Sequence, residues 1–198
     1  MDTPADPFIL ERIPHRPPFL WLDRVVEVGE AAIRAEKTLP QDLDVFRGHY
    51  PDYPLMPGVL LCEAVFQAGA VLLGELLRQE PEAGGGAVPV LTRILGARFK
   101  REVRPGDRLE IRAALVERMG PAWMMKGSVR VGGKVAVQVE FACARRAGMS
   151  NLPSARWQMT PFGAPPSRIS TVSARVSTPA SPAMPCETSQ PFRCLVER

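Results

Sequence analysis

The feature that most constrains the fold is the run of residues 58–78, which is apolar on nearly every side of the helix that its length predicts. A helix of that kind is buried all round, whereas an amphipathic helix covers a core with one face. Pro57 suits the first turn, because the missing N–H of a proline has no helical partner there. Glu63 and Glu75 leave uncharged pieces about half as long as the roughly 18–20 residues that span a bilayer. We therefore predict a buried core helix and expect no membrane as a partner.

On both sides of this helix the sequence predicts short strands and turns. Alternating or β-branched runs predict strands near residues 19–28, 31–39, 88–94, 98–103, 108–117, 123–131 and 134–143. The pair Gly132-Gly133 between two such runs is typical of a hairpin turn. About five to seven mostly antiparallel strands and one long helix predict an α+β fold, in which the sheet wraps around a central helix.

The composition of the chain changes near Arg146. Beyond it Ser, Thr and Pro dominate, and such a segment buries too little apolar surface to offset the entropy of ordering. We predict one domain at 1–147 and a disordered Pro/Ser/Thr-rich tail at 148–198. The formal net charge is +4, and the tail holds five basic against two acidic residues, so the domain is nearly neutral. We therefore expect no nucleic-acid partner.

The ends and the cysteines point to an ordinary intracellular protein. The first residues follow no secretory pattern, and the four cysteines form no Cys-x-x-Cys pair that would suggest zinc or a redox dithiol. Cys62 and Cys143 lie in apolar segments and are interpreted as small core residues. We expect a reducing, cytoplasmic setting.

Three chemically suggestive features come together within residues 46–67. His49 lies in a loop stiffened by three prolines, which fixes its position without regular structure. Gly58 begins the helix, where free backbone N–H groups attract developing negative charge. Glu63 lies roughly 7 Å further along the same helix. An ionised carboxylate is costly to bury in such apolar surroundings, so a proton donor is favoured there.

Each of these features also has an ordinary structural explanation. A lone His in a loop is usually a surface or capping residue, and Gly58 alone would be a packing glycine. Gln67 lies one turn after Glu63 and would simply hydrogen-bond it. The residues by themselves favour acid–base chemistry without naming a reaction.

Three motifs follow one another along the chain. Residues 14–25 read P-H-R-x-P-F-L-x-x-D-R-V, residues 46–67 read F-x-G-H-Y-P-x-x-P-x-M-P-G-V-L-x-x-E-A-x-x-Q, and residues 97–109 read A-R-F-K-R-x-V-x-P-G-D-x-L. Together they closely resemble the signatures of the 3-hydroxyacyl-[acyl-carrier-protein] dehydratases of fatty acid synthesis, over most of the predicted domain.

The resemblance implies the hot-dog fold and a homodimer with active sites in tunnels at its interface; family members often assemble as trimers of dimers. The substrate would be a (3R)-3-hydroxyacyl thioester on the phosphopantetheine arm of acyl carrier protein, with no metal or other cofactor. His49 of one subunit would remove the proton next to the carbonyl, and Glu63 of the other would protonate the departing hydroxyl. The backbone N–H of Gly58 would bind the thioester oxygen, Gln67 would support the site, and the product would be the trans-2-enoyl thioester.

A basic cluster follows the third motif and is a candidate docking patch for the acidic carrier protein: Arg98, Lys100, Arg101 and Arg104. The alternative is that these side chains only keep the protein soluble.

Some positions distinguish this chain within the family that it resembles. Glu63 replaces the Asp that is usual in dehydratase–isomerases, which favours a dehydratase without isomerase activity. Tyr50, Asp52 and Tyr53 stand where the family usually has Phe, Gly and His, and a Gly at position 52 is able to adopt a positive φ. Two alternatives stay open: a non-catalytic hot-dog subunit that binds acyl carriers, and a hot-dog thioesterase or coenzyme A hydratase.

Overall fold

The computed structural model describes residues 6–79 and 88–146. The predicted tail at 148–198 lies outside the described residues. The elements in chain order are α1 (Pro7–Leu10), β1 (Arg24–Val28), β2 (Ala32–Thr38), α2 (Val45–Gly48), α3 (Gly58–Gln79), β3 (Val88–Phe99), β4 (Arg108–Met119), β5 (Ala122–Val131) and β6 (Lys134–Arg146).

Six antiparallel strands form one sheet in the order β1-β2-β4-β5-β6-β3. The long helix α3 packs against every strand from β2 to β6. The predicted hairpin is confirmed, since Gly132 and Gly133 join β5 to β6 with φ values of 55° and 75°. Positive φ at both central residues gives a turn whose twist matches that of the strands. The predicted arrangement of a sheet around one central helix is confirmed.

The prediction of separate strands at 88–94 and 98–103 is wrong, because a single strand, β3, covers the whole first range, continues without a break and ends at Phe99, so that residues 100–103 are not in a strand. Its pairing with β6 shifts register twice, first after Leu91 and again after Ile94. Each irregularity interrupts the alternation of a regular strand, so one bulged strand resembles two short ones in the sequence. The short helices α1 and α2 were not predicted, since four residues are too few to display a helical period.

The predicted strand at 19–28 is shorter in the structure, where β1 begins at Arg24. Trp21 and Leu22 are buried. The backbone N–H of Trp21, however, donates to Oε1 of Gln67 at 2.8 Å rather than to a neighbouring strand. This apolar stretch is therefore a buried loop whose backbone is satisfied by a side chain of α3.

The core of the domain is built around α3, as its apolar sequence predicts. Val65, Val71 and Leu72 are completely buried. By length and composition alone this helix would be able to cross a membrane, with a mean hydropathy of 1.7, but 61% of that window is buried inside the protein. That burial is typical of the core helix of a globular domain.

The helix α3 lies very close to the sheet at Gly127 of β5. A Cβ atom built there would lie 2.3 Å from Cγ1 of Val65 and 2.5 Å from the carbonyl oxygen of Arg112. Carbon atoms in good contact are about 3.5–4.0 Å apart. The position therefore requires glycine, and it fixes how closely the first half of α3 lies on the sheet.

The N-terminal segment folds back onto α3. The Arg12 side chain donates from Nε to Oε2 of Glu75 at 2.7 Å, and its guanidinium lies 3.2 Å from the ring centroid of Phe8. Hydrogen bonding to Arg12 holds the pKa of Glu75 below its usual value. This contact and the buried Trp21 loop bring the first motif against the middle of the helix.

The edge strand β3 carries an unusual amount of exposed apolar surface. Its exposed large side chains are Val90, Leu91, Ile94, Leu95 and Phe99. A long edge strand with apolar side chains and free backbone groups is a surface on which another chain can pair.

Candidate active site

His49 follows the short helix α2 and is held by its own loop. Its Nδ1 lies 2.9 Å from the carbonyl oxygen of Leu55, and its ring contacts the Tyr50 ring edge-on at 4.6 Å between centroids. A carbonyl oxygen only accepts, so Nδ1 carries the hydrogen and donates it. In the neutral imidazole this leaves Nε2 with a free lone pair, which is the form that a general base needs.

The left-handed residue of this loop is Tyr50, with φ of 56°, and not residue 52. Tyr50 is the only non-glycine residue with positive φ among residues 6–79 and 88–146. Asp52 therefore fits its place without the conformational freedom of a glycine. The departure from the usual family residue at position 52 does not strain the loop.

Tyr53, which stands where the family often has a second His, anchors the loop from outside. Its hydroxyl donates to Oε2 of Glu102 at 2.8 Å, and the guanidinium of Arg104 lies over its ring, 4.5 Å from the centroid. Arg104 also pairs with Glu102 at 3.0 Å. These contacts tie the His49 loop to the segment that follows β3.

Gly58 is the first residue of α3, as predicted, so its own backbone N–H has no acceptor within the helix, whereas those of Leu60 and Leu61 donate to the carbonyl oxygen of Pro57. A Cβ atom at Gly58 would lie 2.6 Å from Cε1 of Phe99. The absence of a side chain thus lets the aromatic ring at the end of β3 lie directly on the start of the helix.

Glu63 and Gln67 lie one turn apart on α3 and are joined, as the spacing predicts. The amide Nε2 of Gln67 donates to Oε1 of Glu63 at 3.0 Å and to the carbonyl oxygen of Phe19 at 2.9 Å. Gln67 is only 1% exposed and is the single buried polar residue of the described core. The contact with Glu63 confirms the predicted hydrogen bond and places the carboxyl group at the boundary of the core.

The structure also places the side chain of His15 next to that of Glu63, a contact that the sequence did not predict. Its Nε2 lies 3.7 Å from Oε1 of Glu63. By contrast, no hydrogen bond or ion pair joins His49 to Glu63 within the described part of one chain. The described residues also contain no group of three His, Cys, Asp or Glu side chains that could hold a metal ion.

The four basic residues of the predicted patch are all exposed, at the end of β3 and in the segment after it. Arg98 lies within β3, whereas Lys100 and Arg101 both reach the carbonyl oxygen of Ala136 through their backbone N–H groups. Their side chains remain available, while Arg104 is engaged with Glu102 and Tyr53.

Known proteins share both the sequence and the fold. Residues 13–140 match the family described as the FabA-like domain. The chain is 42% identical over 134 residues to the 3-hydroxyacyl-[acyl-carrier-protein] dehydratase FabZ of Anaeromyxobacter dehalogenans, covering 67% of this chain and 85% of that protein. It is 39% identical over 137 residues to the dehydratase of the same name from Oceanobacillus iheyensis, covering 69% and 94%.

One solved structure similar to the domain is the dehydratase heterocomplex ApeI:P from Xenorhabdus doucetiae. It matches with a TM-score of 0.60 and 20% identity over 72% of this chain and 93% of that one. A hypothetical thioesterase from Streptococcus pneumoniae matches with a TM-score of 0.50 and 11% identity over 62% and 84%. These two likenesses concern the fold, and they confirm the predicted hot-dog architecture.

The fold and the arrangement on α3 thus define a hot-dog protein whose core helix carries a carboxyl group, Glu63, in contact with Gln67 and close to His15. The chain belongs to the FabA-like family, among its 3-hydroxyacyl-[acyl-carrier-protein] dehydratases. The predicted family and the predicted enzyme class, a hydro-lyase of fatty acid biosynthesis, are confirmed.

Proposed function

We propose that this protein removes water from (3R)-3-hydroxyacyl groups on acyl carrier protein, with His49 as the base and Glu63 as the acid. Family membership supports the reaction. One observation carries the assignment of the base: the hydrogen bond from Nδ1 of His49 to the carbonyl oxygen of Leu55. That bond leaves the lone pair of Nε2 free to accept a proton from the substrate.

The reaction begins at the carbon next to the thioester carbonyl. Nε2 of His49 takes a proton from this carbon, and the electron pair of the broken C–H bond develops into an enolate. The N–H of Gly58, at the positive end of the α3 dipole, donates to the enolate oxygen. Stabilisation is needed there because the carbon acid is far weaker than imidazolium.

The second half of the reaction expels the hydroxyl group. The enolate electron pair forms the trans-2 double bond, the C3–O bond breaks, and the hydroxyl leaves as water with the proton of Glu63. Gln67 occupies Oε1 of Glu63 with a hydrogen bond, so Oε2 is the oxygen that carries this proton. Proton exchange with water then restores neutral His49 and protonated Glu63, and the cycle uses no metal or redox cofactor.

The complete site requires two copies of the chain. The exposed apolar edge of β3 is the surface for a second copy, and pairing there would cover Ile94, Leu95 and Phe99. His49 of one copy would then serve the same substrate as Glu63 of the other. Family members also form trimers of dimers, which we propose as the higher assembly. The free, buried Cys62 and Cys143 suit a cytoplasmic location.

The carrier protein would dock on Arg98, Lys100 and Arg101, whose exposed side chains complement its acidic surface. Charge reversal at Lys100 and Arg101 is expected to raise KM for a carrier-bound substrate and to leave KM for a short pantetheine thioester unchanged. An equal effect on both substrates would argue against this patch.

The catalytic roles are tested by spectrophotometric dehydration and hydration of carrier-bound 3-hydroxybutyryl and crotonyl groups. His49→Ala and Glu63→Gln are each expected to lower kcat by at least ~10²-fold while the oligomer persists. Glu117→Gln, at an exposed position of β4, is the matched control and is expected to keep full activity. Wild-type turnover in either site variant would refute the roles, and release of a free thiol would indicate a thioesterase.

A further inference from the structure

His15 lies beside the proposed acid although 48 residues separate the two in the sequence. Its Nε2 is 3.7 Å from Oε1 of Glu63, and the side chains are 30% and 21% exposed. The His15 ring stacks on Phe19 with 6.2 Å between centroids. Neither the mechanism above nor the family's catalytic motif uses this histidine.

The surroundings of His15 favour one neutral form of its ring. Desolvation by burial lowers the pKa of His15, the Glu63 carboxylate raises it less, and the Arg16 guanidinium also lowers it. Nδ1 is buried and has no hydrogen-bond partner among the described residues. An unmatched N–H at Nδ1 would be costly there, while Nε2 faces an acceptor, so the single hydrogen of the neutral ring belongs on Nε2.

Gln67 fixes the oxygen that His15 faces. Because its Oε1 accepts from the backbone N–H of Trp21, its amide orientation is set, and Nε2 must point to Glu63. Oε1 of Glu63 is therefore bound by Gln67 and approached by His15 from a second direction. The Gln67 amide and the His15 ring therefore both lie at Oε1 of Glu63, and neither of them contacts Oε2.

We propose that His15 is a positioning residue for the acid: its Nε2–H and the Gln67 amide hold Oε1 of Glu63, so that the acidic proton resides on Oε2, facing the leaving hydroxyl. This inference rests on the proposed role of Glu63. A separation of 3.7 Å is too long for a hydrogen bond. Catalytic contacts of this kind often tighten only when substrate is bound, and we expect the His15 contact to shorten in that complex.

Two replacements separate this role from simple packing. His15→Phe keeps the ring and its contact with Phe19 but removes the donor, whereas His15→Gln supplies an amide N–H near the place of Nε2. His15→Phe is expected to lower kcat by about tenfold with KM nearly unchanged, the size of one lost hydrogen bond. His15→Gln is expected to recover activity to within about threefold of wild type. Equal losses in both variants, or no loss in His15→Phe, would overturn the proposal.

A double variant tests whether His15 acts through Glu63. In the Glu63→Gln background, His15→Phe is expected to cause less than a twofold further loss, because the group that it positions is already gone. A full tenfold further loss would mean that His15 acts independently of Glu63. Unchanged activity in Glu63→Gln alone would instead refute the proposed acid, so the two failures are distinguishable. Size-exclusion and thermal unfolding of each variant show that the assembly is intact.

Discussion

Replacing Gly127 with alanine tests the central feature of the fold, the close contact of α3 with β5. The added methyl group would begin 2.3 Å from Cγ1 of Val65 and 2.5 Å from the carbonyl oxygen of Arg112. Neither the Val65 side chain nor the Arg112 carbonyl is able to move aside easily. Val65 is completely buried and β-branched, and the Arg112 carbonyl belongs to the neighbouring strand β4.

The size of the effect follows from these distances. Restoring an ordinary carbon–carbon separation of about 3.5 Å requires the helix and the sheet to move apart by more than ~1 Å. Overpacking of this kind typically costs about 1–3 kcal/mol, and the involvement of backbone places Gly127→Ala at the upper end. For a domain of this size about 3 kcal/mol corresponds to a fall in Tm of roughly 6–12 °C.

Thermal unfolding followed by circular dichroism provides the measurement, with Gly29→Ala as the matched control. A Cβ atom at Gly29 meets nothing closer than 3.8 Å, so its Tm should stay within roughly 2 °C of wild type. Adding Val65→Ala to Gly127→Ala removes one clash but not the other. The double variant should therefore be destabilised by less than the sum of the single variants, yet not restored. A wild-type Tm for Gly127→Ala would refute the close contact of Gly127 with Val65 and with the Arg112 carbonyl.

Three further outcomes are expected. Gly58→Ala should lower kcat by ~10- to 10²-fold with little change in Tm, because the new Cβ atom pushes the exposed Phe99 ring away from its place at the helix start and disturbs the surroundings of the Gly58 N–H. Adding Phe99→Ala should recover part of the activity. Since the pKa of His15 lies below 6.5 in the folded protein, the unfolded chain binds more protons near pH 6. Stability should thus fall as the pH drops through 6.5, and Tm should fall less steeply in His15→Phe. Deleting residues 148–198 should preserve activity, since the matched family region ends at residue 140.

The sequence predicts the features that depend on local pattern. The apolar run before Gln79 is long enough to predict α3 and its burial, and the glycine pair predicts the β5–β6 hairpin. Both signals are contained in a short, continuous stretch of sequence. The continuity of β3 is not visible in this way. Its bulges are set by pairing with β6, so their position depends on partner residues that lie 44 to 52 positions away along the chain.

The same distinction applies to the site. His49, Gly58, Glu63 and Gln67 fall within one short segment, so their grouping and the Glu63–Gln67 contact are predictable from spacing. The contact with His15 is not, because it requires the N-terminal segment to fold across α3. The tautomer of His49 likewise depends on a carbonyl six residues away in an irregular loop, and no periodic pattern indicates it.

The departures from the usual family residues acquire a physical explanation only in the structure. A histidine and a tyrosine both offer a ring and a polar end, and Tyr53 uses both, stacking under Arg104 and donating to Glu102. The loop that carries His49 is thus anchored through the segment after β3, while Tyr50 supplies the left-handed turn. The side chains at positions 50, 52 and 53 are all exposed, and the hydrogen bond that selects Nε2 as the free nitrogen of the proposed base runs from the His49 ring to the backbone carbonyl of Leu55. Substitution at 50, 52 and 53 therefore changes how the loop is anchored without changing which nitrogen is free, so the altered loop is no argument for a non-catalytic subunit.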